Sequence, residues 1–152
     1  MPSGAKIRVG LAGIGFMGVT HFNAYKAIRG AKVEAIAEED PIKRTGDWSG
    51  VRGNFGSGGG QVDVSKLRVY ADYADMARDP DLDLIDICLP TPAHAKAAIT
   101  CLQAGKHVLL EKPIALSLAD ADSMLQAAKK AKRHLFVGHV LRYFPQYRYL
   151  KQ

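Results

Sequence analysis

Short apolar runs alternate with longer helix-compatible segments along most of the chain. The first run, residues 6–12, is rich in Ile, Val and Leu and is bounded by glycine, a pattern typical of a strand buried on both faces. Comparable runs predict strands at residues 32–37, 67–70, 83–89, 107–110 and 134–138. This alternation predicts an α/β fold, a Rossmann-type doubly wound parallel sheet in a single domain.

Capping signals set the predicted helix boundaries. The first helix should cover residues 16–29 and end with Gly30 as its C-cap. Thr91 as N-cap, with Pro92 at the first helical position, should begin another helix. Ser117 should open the last long helix through a variant of the capping box.

A glycine-rich turn joins the first strand to the first helix. Residues 13–18, GIGFMG, match the G-x-G-x-x-G pattern. Gly13 allows a tight turn, Gly15 lets a ligand approach the backbone, and Gly18 lets the helix pack closely. The N–H groups at the helix start then favour an anion such as a pyrophosphate. The motif alone also fits a packing role or a methyltransferase loop, so the segments beyond it must decide.

An acidic cluster closes the second predicted strand. Glu38 lies about 20 residues after Gly18, where a carboxylate accepts hydrogen bonds from both hydroxyls of an adenosine ribose. This carboxylate and the two acidic residues after it repel a 2′-phosphate. We therefore expect NAD in preference to NADP, while Lys43 and Arg44 keep NADP open.

Two segments follow strands at the carboxyl edge of the predicted sheet, where open α/β sheets bind ligands. Residues 89–94, LPTPAH, carry two rigid prolines and His94, and residues 111–113 are EKP. Lys112 is the candidate catalytic cation, because an ammonium beside a nicotinamide can hydrogen-bond a substrate hydroxyl and assist proton transfer. Spacing alone leaves a surface lysine paired with Glu111 equally open, and His94 by itself fits a structural role.

The glycine-rich segment at residues 45–60 interrupts the alternation. Its Gly, Ser, Asn and Asp residues disfavour regular structure. Trp48 and Phe55 are exceptions in this composition. They either anchor the loop on the domain, the interpretation we favour, or await a partner or substrate.

The chain has 152 residues and a net charge of +6, yet its basic residues are scattered. The one basic cluster, residues 129–133, ends a predicted helix, where cations complement the helix dipole, so we expect no nucleic-acid surface. No apolar run is long enough to span a membrane. Cys88 and Cys101 lack C-x-x-C spacing, so we expect reduced thiols in a cytoplasmic protein, and no metal site.

Five motifs together resemble one known family. They are GIGFMG at 13–18, Glu38, PTPAH at 90–94, AGKHVLLEKP at 104–113 and VGHVLRYFP at 137–145. The combination resembles the N-terminal domain of the Gfo/Idh/MocA oxidoreductases, the glucose–fructose oxidoreductase and inositol dehydrogenase relatives. The resemblance covers essentially the whole chain, and the AGKHVLLEKP block is its most specific part.

The resemblance implies roles for individual residues. Cofactor contacts would come from Gly13, Gly15, Phe16, Met17, Gly18, Glu38, Pro90, Thr91, His94 and Glu111. Lys112 would be catalytic and would contact the reacting hydroxyl of the substrate, and Arg142 would border the substrate site. The family often has a cis peptide before the proline of its EKP motif, which makes Lys112–Pro113 a candidate.

The resemblance also implies a domain organisation. Residues 1–142 would form the dinucleotide-binding domain, and residues 143–152 would begin a helix leading to the family's C-terminal α/β domain, which this sequence lacks. That domain supplies most of the substrate pocket and usually the oligomer interface. We therefore expect the full-length protein to be a homo-oligomer.

These implications combine into one functional expectation. The full-length protein would be an NAD-dependent oxidoreductase that moves hydride between nicotinamide and a secondary hydroxyl of a sugar, polyol or related substrate. This chain should bind the cofactor with little or no turnover, because it lacks the second wall that positions a substrate. The alternative is a stand-alone nucleotide-binding sensor, or a subunit completed by another chain.

Overall fold

Six parallel strands form one sheet in the order β3-β2-β1-β4-β5-β6. The computed structural model describes residues 6–53 and 58–151, so Phe55 lies outside the described residues. The strands are β1 Ile7–Ala12, β2 Ala31–Ala37, β3 Arg68–Tyr70, β4 Leu84–Ile87, β5 His107–Leu110 and β6 Leu135–Val137. The strand order reverses between β1 and β4, as in the doubly wound dinucleotide-binding sheet. The predicted fold class is confirmed.

Helices cover both faces of the sheet. They are α1 Phe16–Tyr25, α2 Pro41–Arg44, α3 Tyr73–Ala77, α4 His94–Gln103, α5 Leu118–Ala131 and α6 Pro145–Leu150, with 3-10 turns at Thr91–Ala93 and Val140–Tyr143. One core cluster includes Met76 of α3, Leu102 of α4 and Met124 of α5, and the other includes Val19 of α1. None of the helices in the described residues has the length and apolar character needed to cross a membrane.

The first helix is shorter than predicted, and Gly30 is not its C-cap. α1 ends at Tyr25, and the N–H groups of Ala27 and Ile28 donate to carbonyl oxygens three residues earlier, at 3.0 and 3.1 Å. The chain therefore tightens into 3-10 geometry before it reaches Gly30. The Gly30 carbonyl accepts a hydrogen bond from Ile7 N at 2.9 Å, so this residue belongs to the start of the β1–β2 pairing.

Of the two N-caps predicted for the later helices, the structure contradicts one and confirms the other. The prediction for Thr91 is wrong, because the 3-10 turn Thr91–Ala93 intervenes and α4 begins at His94. The prediction for Ser117 is confirmed. Its Oγ accepts the Asp120 N–H at 3.1 Å and donates to the Asp120 carboxylate at 2.8 Å.

Trp48 anchors the glycine-rich segment on the domain, as we favoured from the sequence. Its side chain is 1% exposed, and its ring meets Phe22 of α1 edge-on with centroids 4.9 Å apart. The indole Nε1 donates to the Lys43 carbonyl oxygen at 2.8 Å. After β2 the chain forms only the single turn of α2 before this anchored loop begins.

Candidate functional site

A cleft of about 670 Å³ opens at the carboxyl edge of the sheet, where β1, β2 and β4 end. Its walls are the glycine turn after β1, the acidic end of β2 and the loop after β4. The predicted cofactor residues that line it are Gly13, Gly15, Phe16, Met17, Glu38 and Pro90. The sheet order therefore brings together three segments that are far apart in the sequence.

The three glycines of the turn differ in their surroundings. Gly13 has a φ of 91°, a conformation that side-chain-bearing residues rarely adopt. A Cβ on Gly18 would collide with the Gly13 carbonyl oxygen, so only glycine lets α1 lie this close to the turn. A Cβ on Gly15 would meet no atom of the described residues within 4 Å. As far as the described residues go, the backbone at Gly15 therefore borders open space.

The start of α1 faces the cleft without a side-chain cap. Among the described residues, no side chain caps this helix at Gly15, and its first turn holds no acidic residue. Such a start presents amide N–H groups and the positive end of the helix dipole. Together with the open backbone at Gly15, it fits the pyrophosphate of a dinucleotide.

Glu38 contacts the glycine turn directly, and its carboxylate has a fixed orientation. Its Oε2 accepts the Ile14 N–H at 2.6 Å, and its Oε1 accepts the Asp40 N–H at 3.0 Å. The Lys43 ammonium lies 4.0 Å from Oε2. Arg44 is held elsewhere, because its Nη1 donates to the carbonyl oxygens of Glu38 and Glu39. Of the two basic residues that kept NADP open, only Lys43 lines the cleft.

His94 lies beneath the cleft and is 1% exposed. Its Nδ1 is 2.9 Å from the Pro113 carbonyl oxygen, and its Nε2 is 2.9 Å from that of Leu89. The ring therefore ties the loop after β4 to the loop after β5. Thr91, in the 3-10 turn above it, follows the cleft residue Pro90.

The Glu111–Lys112 turn follows β5 at the same edge of the sheet. Glu111 is buried, and its Oε2 accepts the Lys112 N–H at 3.2 Å. The Lys112–Pro113 peptide is cis, as the resemblance implied. The side chain of Lys112 is exposed, and Arg142 is exposed in the 3-10 turn after β6. Both cations therefore follow the carboxyl ends of neighbouring strands.

A buried polar cluster that the sequence analysis missed lies next to the cleft. Asp86 of β4 is fully buried, and its Oδ2 lies 2.9 Å from His21 Nδ1 and accepts the Tyr25 hydroxyl at 3.1 Å. His21 Nε2 lies 3.1 Å from Glu111 Oε1. Two signals could have revealed the cluster: Asp86 is a carboxylate inside an apolar strand, and His21 follows Gly18 by one helical turn.

The charges of this cluster follow from its contacts. Burial lowers the pKa of His21, but hydrogen bonds and charge attraction from Asp86 and Glu111 outweigh it and raise that pKa above its usual value. Burial and Asp86 together raise the pKa of the Cys88 thiol and of the Tyr25 phenol well above their ordinary values. At neutral pH both groups therefore keep their protons.

We expect the raised His21 pKa to make stability depend on pH. Protonated His21 forms a charged bridge between Asp86 and Glu111. This bridge contributes fully to the free energy of unfolding below the unfolded-state pKa of about 6.5, and its contribution is lost as pH rises through the raised folded-state pKa. The urea midpoint should therefore fall as pH rises from about 6.5 through the raised folded-state pKa of His21. His21→Gln should flatten this fall. A wild-type midpoint that stays constant over this range would contradict the charged bridge.

A second cavity, of about 810 Å³, lies at the opposite edge of the sheet. Two of its cations, Arg8 and Lys106, are already paired with groups of the fold. Arg8 pairs with Asp83 at 2.8 Å, and Lys106 Nζ donates to the carbonyl oxygens of Asp79 and Leu82 at 2.6 and 2.8 Å. Ligands of open α/β sheets bind at the carboxyl edge, so we assign the functional site to the glycine-turn cleft.

Known proteins share this architecture. The chain is 32% identical over 148 residues to myo-inositol 2-dehydrogenase of Thermotoga maritima. It is 33% identical over 145 residues to 4-carboxy-2-hydroxymuconate-6-semialdehyde dehydrogenase of a Sphingobium species. These matches cover 96% and 95% of this chain but only 40% and 42% of the relatives.

The crystal structure of a probable dehydrogenase from Thermotoga maritima superposes with a TM-score of 0.80 at 30% identity, over 95% of this chain and 39% of that one. The chain thus spans about two fifths of the length of these relatives. Residues 7–139 match the family described as the oxidoreductase family with the NAD-binding Rossmann fold. The chain therefore belongs to the Gfo/Idh/MocA family of oxidoreductases and carries its NAD-binding Rossmann fold.

Proposed function

We propose that the chain binds NAD(H) in the glycine-turn cleft and forms the cofactor-binding part of a dehydrogenase. The full-length protein would move hydride between nicotinamide and a secondary hydroxyl of a sugar, polyol or related substrate. The observation that carries the proposal is one cleft lined by both the glycine turn and the oriented carboxylate of Glu38, which is hydrogen-bonded to that turn through the Ile14 N–H. The similarity to a myo-inositol 2-dehydrogenase supports the substrate class.

The residues of the cleft would divide the work of holding the cofactor. Gly13, Gly15 and Gly18 would shape the cradle for the pyrophosphate, with Phe16 and Met17 beside it. Glu38 would accept hydrogen bonds from the adenosine ribose. Pro90 and Thr91 would form the wall after β4, while His94 would brace that wall from below.

The residues after β5 and β6 would serve the reaction. The bound cofactor supplies hydride exchange at the nicotinamide. Glu111 would lie near the nicotinamide, and the exposed Lys112 ammonium would hydrogen-bond the reacting hydroxyl and assist its proton transfer. Arg142 would border the substrate. On its own the chain should turn over little, because the substrate would lack a second wall to position it.

Glu38→Ala should weaken NAD⁺ binding by about tenfold or more, because hydrogen bonds to a charged acceptor are each worth roughly 1.5–3 kcal/mol. It should also narrow the preference for NAD⁺ over NADP⁺, since the charge that repels a 2′-phosphate is gone while Lys43 remains. Titration calorimetry with both cofactors measures the two effects.

The matched control is Asp122→Ala, which removes an exposed carboxylate of α5 that does not line the cleft. It should change NAD⁺ affinity by less than about threefold, in line with the small effects of exposed charges. Equal losses in the two variants would remove Glu38 from the site. A folded wild-type chain that binds no NAD(H) would refute the proposed function itself.

We extend the proposal to the setting of the protein. Cys88 and Cys101 are unpaired thiols, which supports a reducing, cytoplasmic location. The full-length protein would be a homo-oligomer.

The exposed Tyr143 and Tyr149 near α6 favour a second candidate, a nucleotide-binding subunit completed by another chain. Sedimentation with and without NAD separates the two. A tight assembly of this chain favours the subunit, and a monomer favours the dehydrogenase part.

A further inference from the structure

The buried polar cluster lies on the nicotinamide side of the cleft. A dinucleotide crosses the sheet at the point where the strand order reverses, between β1 and β4. With the adenosine ribose at Glu38 after β2, the nicotinamide falls over the ends of β4 and β5. Cys88, which follows β4, lines the cleft, and its Sγ lies 3.4 Å from His21 Nδ1. The cluster is therefore in direct contact with the cleft wall.

Both carboxylate oxygens of Glu111 are already held in place. Oε1 faces His21 Nε2 at 3.1 Å, and Oε2 accepts the Lys112 N–H. A Cβ on Gly138 would come within 3.3 Å of Oε1, so β6 closes the space on that side. The orientation of Glu111, and through it the backbone of Lys112, thus depends on the imidazole ring of His21, which α1 carries.

We propose that His21 is a positioning residue for the nicotinamide end of the cofactor site: as an imidazolium bridging Asp86 and Glu111, it fixes the Glu111–Lys112 turn against which the nicotinamide rests. The inference deepens the proposed function and depends on it. His21 reaches no cofactor itself. Its effect passes through Glu111, whose position sets the geometry of the turn that carries Lys112.

The charges around His21 support the bridge. Asp86 faces the ring from β4, and Cys88 faces it from the position just after that strand. Glu111 faces it from just after β5, and Tyr25 belongs to the same helix as His21. With the thiol and phenol protonated, two carboxylates surround one ring, and each ring nitrogen lies within hydrogen-bonding distance of a carboxylate. Only an imidazolium donates from both nitrogens. The cluster then keeps a net charge of −1.

A bound metal ion is the competing account of the cluster. His21, Asp86 and Cys88 offer three ligand atoms within 4.8 Å of one another. However, a metal needs a deprotonated thiolate and an imidazole nitrogen without its proton. The two carboxylate partners of His21 oppose that state, because they favour a proton on each ring nitrogen. We therefore treat metal binding as an outcome that would overturn the proposal.

A pair of substitutions separates the two ends of the bridge. In His21→Asn the amide nitrogen replaces Nδ1 and keeps the Asp86 contact, whereas in His21→Gln the longer side chain reaches towards Glu111. The probes are NADH and ADP-ribose, which lacks the nicotinamide. We expect His21→Asn to weaken NADH binding by about tenfold, within the usual range of site-to-site coupling. ADP-ribose affinity should change by less than about twofold, and His21→Gln should retain more NADH affinity than His21→Asn.

The bridge itself is tested without cofactor. Histidine side-chain ¹⁵N shifts of the folded wild-type chain should show both His21 nitrogens protonated at neutral pH. When these shifts are followed as a function of pH, Glu111→Gln should lower the midpoint of the His21 titration. A neutral His21, or stoichiometric binding of added Zn²⁺ with loss of the proton from the coordinating ring nitrogen, overturns the proposal.

Different results would contradict the positioning role of His21 and the binding of the cofactor by the chain. If NADH and ADP-ribose weaken equally in His21→Asn, or if neither weakens, the positioning role is wrong while cofactor binding stands. If the wild-type chain binds neither probe, the proposed function fails and the inference fails with it.

Discussion

Replacement of Trp48 by alanine is expected to lower the free energy of unfolding by about 3–5 kcal/mol, the range for truncating a large buried aromatic. The side chain is 1% exposed and packs edge-on against Phe22. Its removal would leave a cavity between the loop and α1. It would also leave the Lys43 carbonyl oxygen without its indole donor. Urea unfolding followed by far-ultraviolet circular dichroism measures the change.

Two further variants test whether this loss of stability comes from the buried indole ring. Trp48→Phe keeps most of the apolar area but loses the Nε1 donor, so it should cost less than the alanine change. Ile42→Ala, in α2 just before the loop, truncates a side chain that is 62% exposed. It should stay within about 0.5 kcal/mol of the wild type, as exposed substitutions usually do. A Trp48→Ala loss no larger than that of Ile42→Ala would show that the loop does not anchor on the domain.

The loop anchor also bears on the site, because α2 and Trp48 follow directly from the acidic end of β2. Lys43 lines the cleft, and its carbonyl oxygen accepts the hydrogen bond from the Trp48 indole. Loss of the ring should therefore loosen the adenosine side of the cleft as well as the fold. If the cleft binds NAD as proposed, this one hydrogen bond would link Trp48 to cofactor affinity.

The sequence was sufficient for the fold because local and global signals agreed. Each apolar run between glycines or charges became a strand, since a parallel sheet buries both faces and needs such runs. The boundaries that failed were those where tertiary pairing overrode a local signal. Gly30 carries the usual mark of a helix end, but its carbonyl accepts the Ile7 N–H at the start of β1.

Contacts within the candidate site could be predicted only between residues of one β-α-β unit. The glycine turn and Glu38 follow from spacing within one β-α-β unit. The contact of His21 with Asp86 joins positions 65 residues apart, and its contact with Glu111 needs β4 and β5 to be neighbours. No sequence period encodes that pairing. His94 shows the converse, because its place in a motif could not reveal that both ring nitrogens would face backbone carbonyls.

Gly15→Ala and Gly18→Ala are expected to separate cofactor binding from stability. At Gly15 the φ of −90° suits any residue, and a Cβ would meet no atom of the described residues within 4 Å. The fold should therefore tolerate the methyl group, with a change in unfolding free energy below about 1 kcal/mol. The same methyl group would occupy the space needed by the pyrophosphate, and NAD⁺ affinity should fall by about 10- to 200-fold.

Gly18→Ala should have the opposite profile, because its Cβ would collide with the Gly13 carbonyl oxygen. Overpacking of this kind costs about 1–3 kcal/mol or more, and the better helix propensity of alanine returns only about 1 kcal/mol. Gly50→Ala, at an exposed position with no described atom within 4 Å of the added Cβ, controls for the loss of a glycine. Urea unfolding and NAD⁺ calorimetry on all three variants give the comparison. If Gly15→Ala binds NAD⁺ like the wild type, the open backbone of the turn is not where the pyrophosphate lies, and the cleft loses the feature that most favours a dinucleotide.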